Sequence, residues 1–216
     1  MADFLSIDFS NFAAFLMVAM VMMIIPGPDM AFIISRSVSG GRKQGIATAF
    51  GMQLGFIFHI LIAVCGLSAI LMTSTIAFQI VKYVGAVYLV YLGVKTIHEK
   101  QQITLDTQQK IHSSVWKSFT QGAITNILNP KNALFFLTFL PQFIKPAAGN
   151  TAFQFIFLGV VFGVMGLIFD ILLTLLATAL KDRFTTNTKA IQWQKNISGG
   201  VLIILGAILA FEKSRA

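Results

Sequence analysis

Three ionisable side chains, Asp29, Lys131 and Asp170, stand inside long apolar runs. Ionisable groups within membrane-spanning segments are costly and rare, and they mark substrate, ion or proton pathways. Asp29 directly follows Pro26-Gly27-Pro28. The two prolines remove two backbone donors, and Gly27 loosens the chain between them. Carbonyls released in this way inside a bilayer must find partners or line a cavity. A carboxylate beside such a break suits a cation, a proton or a substrate ammonium. Its structural alternative is to cap the helix segment that follows.

A second break, Asn126-Ile127-Leu128-Asn129-Pro130-Lys131, interrupts the fourth apolar run. Asn126 and Asn129 are three residues apart and share a helix face. They either hydrogen-bond a substrate or cap the broken helix. Lys131 is too central to reach the membrane surface easily. It pairs with Asp29 or Asp170, or it attracts a substrate carboxylate. Asp29, Asn126, Asn129 and Lys131 are therefore the candidate substrate-binding residues, and Pro26, Gly27, Pro28 and Pro130 are the helix breakers. Asp29 and Lys131 together would hold the two ends of a zwitterion. Asp170, followed by Ile171-Leu172-Leu173, is a candidate for proton coupling. A hydrogen bond to another helix is its alternative. His59 shares a helix face with Gly51 and Gly55 and titrates near physiological pH. It is the second proton-coupling candidate, with a structural hydrogen bond as the other reading. Lys82 reads as a snorkelling side chain at a helix end.

The elements that position these residues follow from hydropathy. The chain is 56% hydrophobic and only 11% charged, against about 25% charged in soluble domains. Too little charge is present for a polar shell, which argues against a soluble enzyme, a nucleic-acid binder or a disordered chain. Six apolar segments of near-spanning length run over about 12–35, 46–72, 76–97, 119–143, 151–180 and 197–211. The expected fold is an all-α polytopic membrane protein with six transmembrane helices, the first and fourth broken. Eleven of the sixteen basic residues lie in the first, third and fifth loops, with Arg36 counted in the first. Basic loops stay cytoplasmic, so both termini are expected outside. The N-terminus lacks the basic region of a cleaved signal peptide.

The segment Lys82-Tyr83-Val84-Gly85-Ala86 aligns with Lys195-Asn196-Ile197-Ser198-Gly199, and Pro28-Asp29-Met30-Ala31 aligns with Pro130-Lys131-Asn132-Ala133. Three spans per half make the second half inverted, and inverted repeats with matching broken helices are a transporter signature. The expected organisation is one transmembrane domain over 1–216, with repeat one at about 10–97, a cytoplasmic loop at about 98–118 and repeat two at about 119–212. Paired glycines such as Gly51 and Gly55 suit close helix packing. Nucleotide-binding, zinc-hydrolase and serine-hydrolase motifs are missing, and the single Cys65 has no thiol partner. No catalysis, cofactor or metal is expected.

The ordered set Pro26-Gly27-Pro28-Asp29, Gly41-Arg42-Lys43-Gln44-Gly45, 82–93, Phe119-Thr120-Gln121-Gly122, Asn129-Pro130-Lys131, Phe135-Phe136 and Pro141-Gln142-Phe143 resembles the LysE/RhtB family of bacterial amino-acid exporters. The resemblance covers nearly the whole chain. It implies efflux of free amino acids across the plasma (inner) membrane, driven by the proton motive force, with functional weight on Asp29 and the Asn129-Pro130-Lys131 break. The implied partners are the amino acid, protons and the bilayer. A homo-oligomer is compatible with the chain, and nucleic acid is not a partner. Branches of that family differ in substrate. Two deep carboxylates opposed by one lysine favour a neutral zwitterion of the homoserine, threonine or leucine kind. The alternative is an exporter of inorganic cations, which would need several hard or soft ligands.

Overall fold

The computed structural model describes residues 9–67, 75–98, 114–180 and 188–211. Among these the chain is helical. We number the elements α1 (Phe9–Ile24), α2 (Pro28–Gly40), α3 (Arg42–Ile62), α4 (Thr75–His98), α5 (Val115–Ile127), α6 (Pro130–Leu134), α7 (Thr151–Ala179) and α8 (Thr188–Phe211). A π-helical turn, Ala63–Leu67, continues α3, and another, Phe135–Phe139, continues α6.

By length and composition α3 with its continuation and α7 can each cross a membrane, and α1 with α2 forms a third candidate span bent by 55°. The bend falls at Pro26-Gly27-Pro28, where prolines break the hydrogen-bond ladder. Pro28 then opens α2 as an N-terminal proline does without loss. The fourth run breaks as its sequence implies: α5 ends at Ile127, and Pro130 opens α6.

Three expectations change. Arg36 does not lie in a loop. Helix α2 continues to Gly40, and Arg36 is buried within it, donating to Gln121 Oε1 on α5 and lying 5.0 Å from the centre of the Phe32 ring. The link between α2 and α3 is Gly41 alone, at φ 78°, a left-handed geometry that glycine adopts without steric cost. Lys82 does not snorkel. It is buried, with its ammonium 5.5 Å from the centre of the Tyr83 ring. The expected 98–118 loop is also shorter at its end, because α5 begins at Val115.

Packing explains the glycines at the helix crossings. Helix α3 lies against α5 along a seam of small residues. A Cβ at Gly51 would fall 1.9 Å from the Phe119 carbonyl oxygen, and one at Gly122 would fall 2.5 Å from the Thr48 oxygen. Each contact reaches three residues toward the N-terminus of the other helix, the direction in which Cβ bonds tilt. The two helices therefore run parallel with Gly51 level with Gly122. Helix α4 packs on α8, with Gly206 against the Ala86 carbonyl. Helix α7 touches α1, α2 and α3. The large core gathers Phe15, Phe56, Phe135, Phe136, Phe155 and Phe162. A smaller core of Ile33, Ala49 and Met52 lies between α2 and α3. Many outward side chains are apolar, among them Ile57, Leu61, Val160, Ile168 and Leu172, as a surface facing lipid requires.

Candidate functional site

The two helix breaks meet. Breaking the helix after α1 releases the Ile25 carbonyl from its usual N–H partner four residues on. The Lys131 ammonium reaches across and donates to that carbonyl at 3.0 Å. It therefore sits at the C-terminal end of α1, where the helix dipole favours a cation. The same ammonium lies 3.4 Å from Asp29 Oδ1. Asp29 stands in the first turn of α2, where the dipole favours an anion, and its Oδ1 accepts the Met30 N–H at 2.9 Å. Asn132 Nδ2 donates to Asp29 Oδ2 at 3.4 Å. Both charges are largely withdrawn from solvent, with side chains 7% exposed for Lys131 and 14% for Asp29.

Asp29, Lys131 and Asn132 border a cavity whose far wall is α7, with Asp170, Phe162 and Gly166. Three charged groups predicted from sequence thus share one enclosed space. Its free volume is about 20 Å³, room for roughly one water. The surrounding Met22, Met23, Phe56 and Phe169 are apolar, so the charges work against low-polarity walls.

His59, Asn126, Asn129 and Pro130 gather at the second break, outside the walls of this cavity. Pro130 deprives the Asn126 carbonyl of its N–H partner. His59 Nε2 lies 3.1 Å from that oxygen and donates to it, and the Asn129 N–H bonds it at 3.0 Å. The His59 ring stacks on Phe136 at 5.6 Å. Asn129 caps α6, its Oδ1 accepting the Lys131 N–H at 3.0 Å. Asn126 packs its side chain on Gly55, where a Cβ would fall 2.5 Å from Asn126 Oδ1. Among the described residues both Asn126 amide atoms and Asn129 Nδ2 are buried without a hydrogen-bond partner, an arrangement that costs stability and calls for a reason.

His59 is thus placed as the donor that satisfies the proline-released carbonyl. We expect His59→Ala to destabilise the folded protein by about 1 kcal/mol, the net worth of one hydrogen bond, because the Asn129 N–H still serves the oxygen. His59→Gln keeps an N–H donor and should lose less. The pH profile of export by His59→Gln should match that of the unaltered protein. A shifted profile would return His59 to proton coupling.

Sequence reasoning missed Asn132 as a contact of Asp29. Its only signal was its place beside Lys131, in the segment aligned with Met30. The apolar cavity walls contributed by α1 and α7 carried no signal at all, because Phe and Met are common throughout the chain.

The LysE type translocator family model matches residues 20–213. The chain is 33% identical over 201 residues to an uncharacterized membrane protein, YrhP, of Bacillus subtilis strain 168, covering 89% of this chain and 95% of that protein. It is 28% identical over 207 residues to an uncharacterized membrane protein of Vibrio cholerae serotype O1, covering 96% and 100%. It is 32% identical over 152 residues to a leucine efflux protein of Salmonella choleraesuis, covering 68% and 70%. No solved structure matches the chain.

Proposed function

This chain belongs to the LysE type translocator family, and on that premise we propose that it exports small neutral amino acids through the cavity between Asp29, Lys131 and Asp170. The observation that carries the reading is the ion pair between the two helix breaks. An amino acid presents an ammonium and a carboxylate at fixed spacing. Asp29 and Lys131, held at opposite helix ends, offer the matching charges. Asn132 adds an amide that recognises a carboxylate as readily as it now contacts Asp29. The Asn126 amide and Asn129 Nδ2, unpartnered among the described residues, stand at the same break as Lys131 and supply further donors when that helix moves. With so little free volume, the present arrangement is a closed form. The substrate takes the place of the direct pair, its ammonium on Asp29 and its carboxylate on Lys131.

The cavity holds two carboxylates and one ammonium, one carboxylate in surplus. A zwitterion brings an ammonium and a carboxylate together and leaves that surplus unchanged, so a proton balances it, and Asp170 carries the proton in this proposal. Asp170→Asn should retain counterflow of labelled substrate in proteoliposomes but lose its response to an imposed pH gradient. Unaltered coupling in that variant would remove Asp170 from the proton path.

We also propose six spans in two inverted repeats, and the basic first, third and fifth loops favour termini outside a bacterial inner membrane. The paired breaks are repeat mates in the sequence and touch in the fold, and α4 packs on its repeat mate α8. The relative that exports leucine and the absence of an acid-rich lining both favour a neutral side chain. Counterflow with labelled leucine, threonine, homoserine, lysine and divalent metal ions tests the substrate class. Neutral amino acids should move. Metal flux without amino-acid flux would overturn the proposal in favour of cation export.

A further inference from the structure

Helices α2 and α7 lead away from the central cavity toward the Gly41 turn. Asp29 on α2 and Asp170 on α7 border the cavity. Eight residues further along the same helices, Ser37 and Thr178 border a second, open cavity of about 330 Å³, together with Ser39 and Arg42. Eight residues are about 12 Å of helix rise, so two helical turns separate the two spaces. Residues at positions i, i+4 and i+8 share a helix face. The intervening positions are therefore Ile33 on α2 and Thr174 on α7.

The polar groups change character along this path. At the outer cavity Ser39 and Thr178 donate back to carbonyls of their own helices, at 2.7 and 2.9 Å. Ser37 Oγ, at the inner edge of that cavity, and Thr174 Oγ1, one turn deeper, are buried and, among the described residues, have no partner. They converge on Gly45 of α3. A Cβ there would fall 2.3 Å from Ser37 Oγ and 3.0 Å from Thr174 Oγ1. The two hydroxyls are thus close neighbours around a backbone position that admits no side chain. Orphaned buried hydroxyls cost stability, and a packed interface offers no reason to retain two of them side by side. Beyond them, among the described residues, lies the smaller core of Ile33, Ala49 and Met52, with Phe32, Leu167, Ile171 and Leu173 packed against it, whereas the opposite flank of the charge pair is the large phenylalanine-rich core.

We propose that the α2–α3–α7 interface is the route by which substrate enters the central cavity, that Ser37 and Thr174 are substrate-contacting residues on it, and that Ile33 and Met52 are its apolar gate. The route rests on the export reading for its substrate, a free amino acid. The two hydroxyls accept from the ammonium and donate to the carboxylate as the zwitterion passes from the outer cavity with its Arg42. Gly45 leaves the passage open.

The test uses sided thiol labelling. Cys65→Ser removes the single cysteine. Thr174→Cys is then added and probed with a membrane-impermeant thiol reagent in oriented vesicles. Lys43→Cys marks the side of the Gly41 turn, and Ala147→Cys marks the far end of α7. Thr174→Cys should label from the Lys43 side. Leucine at about ten times its Kd should slow that labelling about tenfold, since only the free fraction reacts. Labelling from the Ala147 side alone, or from neither side in a protein that still exports, overturns the route. If Thr174→Cys neither labels nor exports, the same measurement on Ser37→Cys, across the interface, decides. Labelling from the Lys43 side that no amino acid slows sinks the substrate reading and leaves the route standing. Gly45→Val should abolish labelling and export together, while labelling that persists in Gly45→Val overturns the role of Gly45.

Discussion

Lys131→Met abolishes export and lowers the stability of the folded protein by about 3–5 kcal/mol, the usual cost of removing one partner of a buried ion pair. Two losses combine. Asp29 is left charged in a site whose nearest cation was 3.4 Å away, and the Ile25 carbonyl loses its donor. Asp29→Asn should also abolish export, but with a smaller stability loss. An amide at that position still reaches Lys131 and Asn132, and the Ile25 carbonyl keeps its donor. The double variant Asp29→Asn, Lys131→Met separates stability from transport. Removing both charges leaves one carboxylate in the cavity, Asp170, where Lys131→Met alone leaves two, so the double variant should be more stable than Lys131→Met alone, a coupling that a double-mutant cycle measures. Its export should remain at background. Thermal unfolding in detergent and counterflow in proteoliposomes supply the two readouts. If either single variant exports normally, the pair is structural and the clamp is wrong.

Gly51→Leu prevents accumulation of folded protein. The first added atom would fall 1.9 Å from the Phe119 carbonyl oxygen and 2.8 Å from its carbon, and a helix backbone cannot turn aside as a side chain does. Helices α3 and α5 must separate by more than 1 Å. That separation also opens the reciprocal contact of Gly122 with Thr48 and strains the His59 bond to the Asn126 carbonyl. Overpacking costs about 1–3 kcal/mol even where side chains can yield, so the loss here should be at or above the upper end. Gly200→Ala is the contrast. Among the described residues its Cβ meets nothing within 4 Å, and alanine favours a helix by about 1 kcal/mol over glycine. Size-exclusion profiles and melting temperatures of the two variants should therefore move in opposite directions. A monodisperse Gly51→Leu protein with unchanged melting would refute the backbone-contact account.

The helix breaks were legible because their cause is local. Proline lacks an N–H wherever it stands, so Pro26, Pro28 and Pro130 announce interruptions without any knowledge of neighbours. The cost of burying Asp29, Lys131 and Asp170 was equally legible, because it depends on the apolar sequence around each. Two local readings failed where a distant partner intervened. Arg36 was read as a loop residue because it ends an apolar run, but Gln121 and the Phe32 ring accept its charge inside a helix. Lys82 was read as snorkelling because lysine usually does, and its burial depends on packing that hydropathy does not encode.

The sequence by itself determined the membrane character, the family, the positions of the breaks and the identities of the three deep charges. All of these follow from residue type and nearest neighbours along the chain. Only the tertiary structure decided what each group meets. Lys131 could equally have paired with either aspartate, and the fold puts it on Asp29 and the Ile25 carbonyl while holding Asp170 across the cavity. His59 went to the proline-released carbonyl and not to the charges. Ser37 and Thr174, unremarkable in sequence, became neighbours only because α2, α3 and α7 converge at Gly45. Partner choice depends on helix crossing and register between segments a hundred residues apart, and no local pattern carries that information.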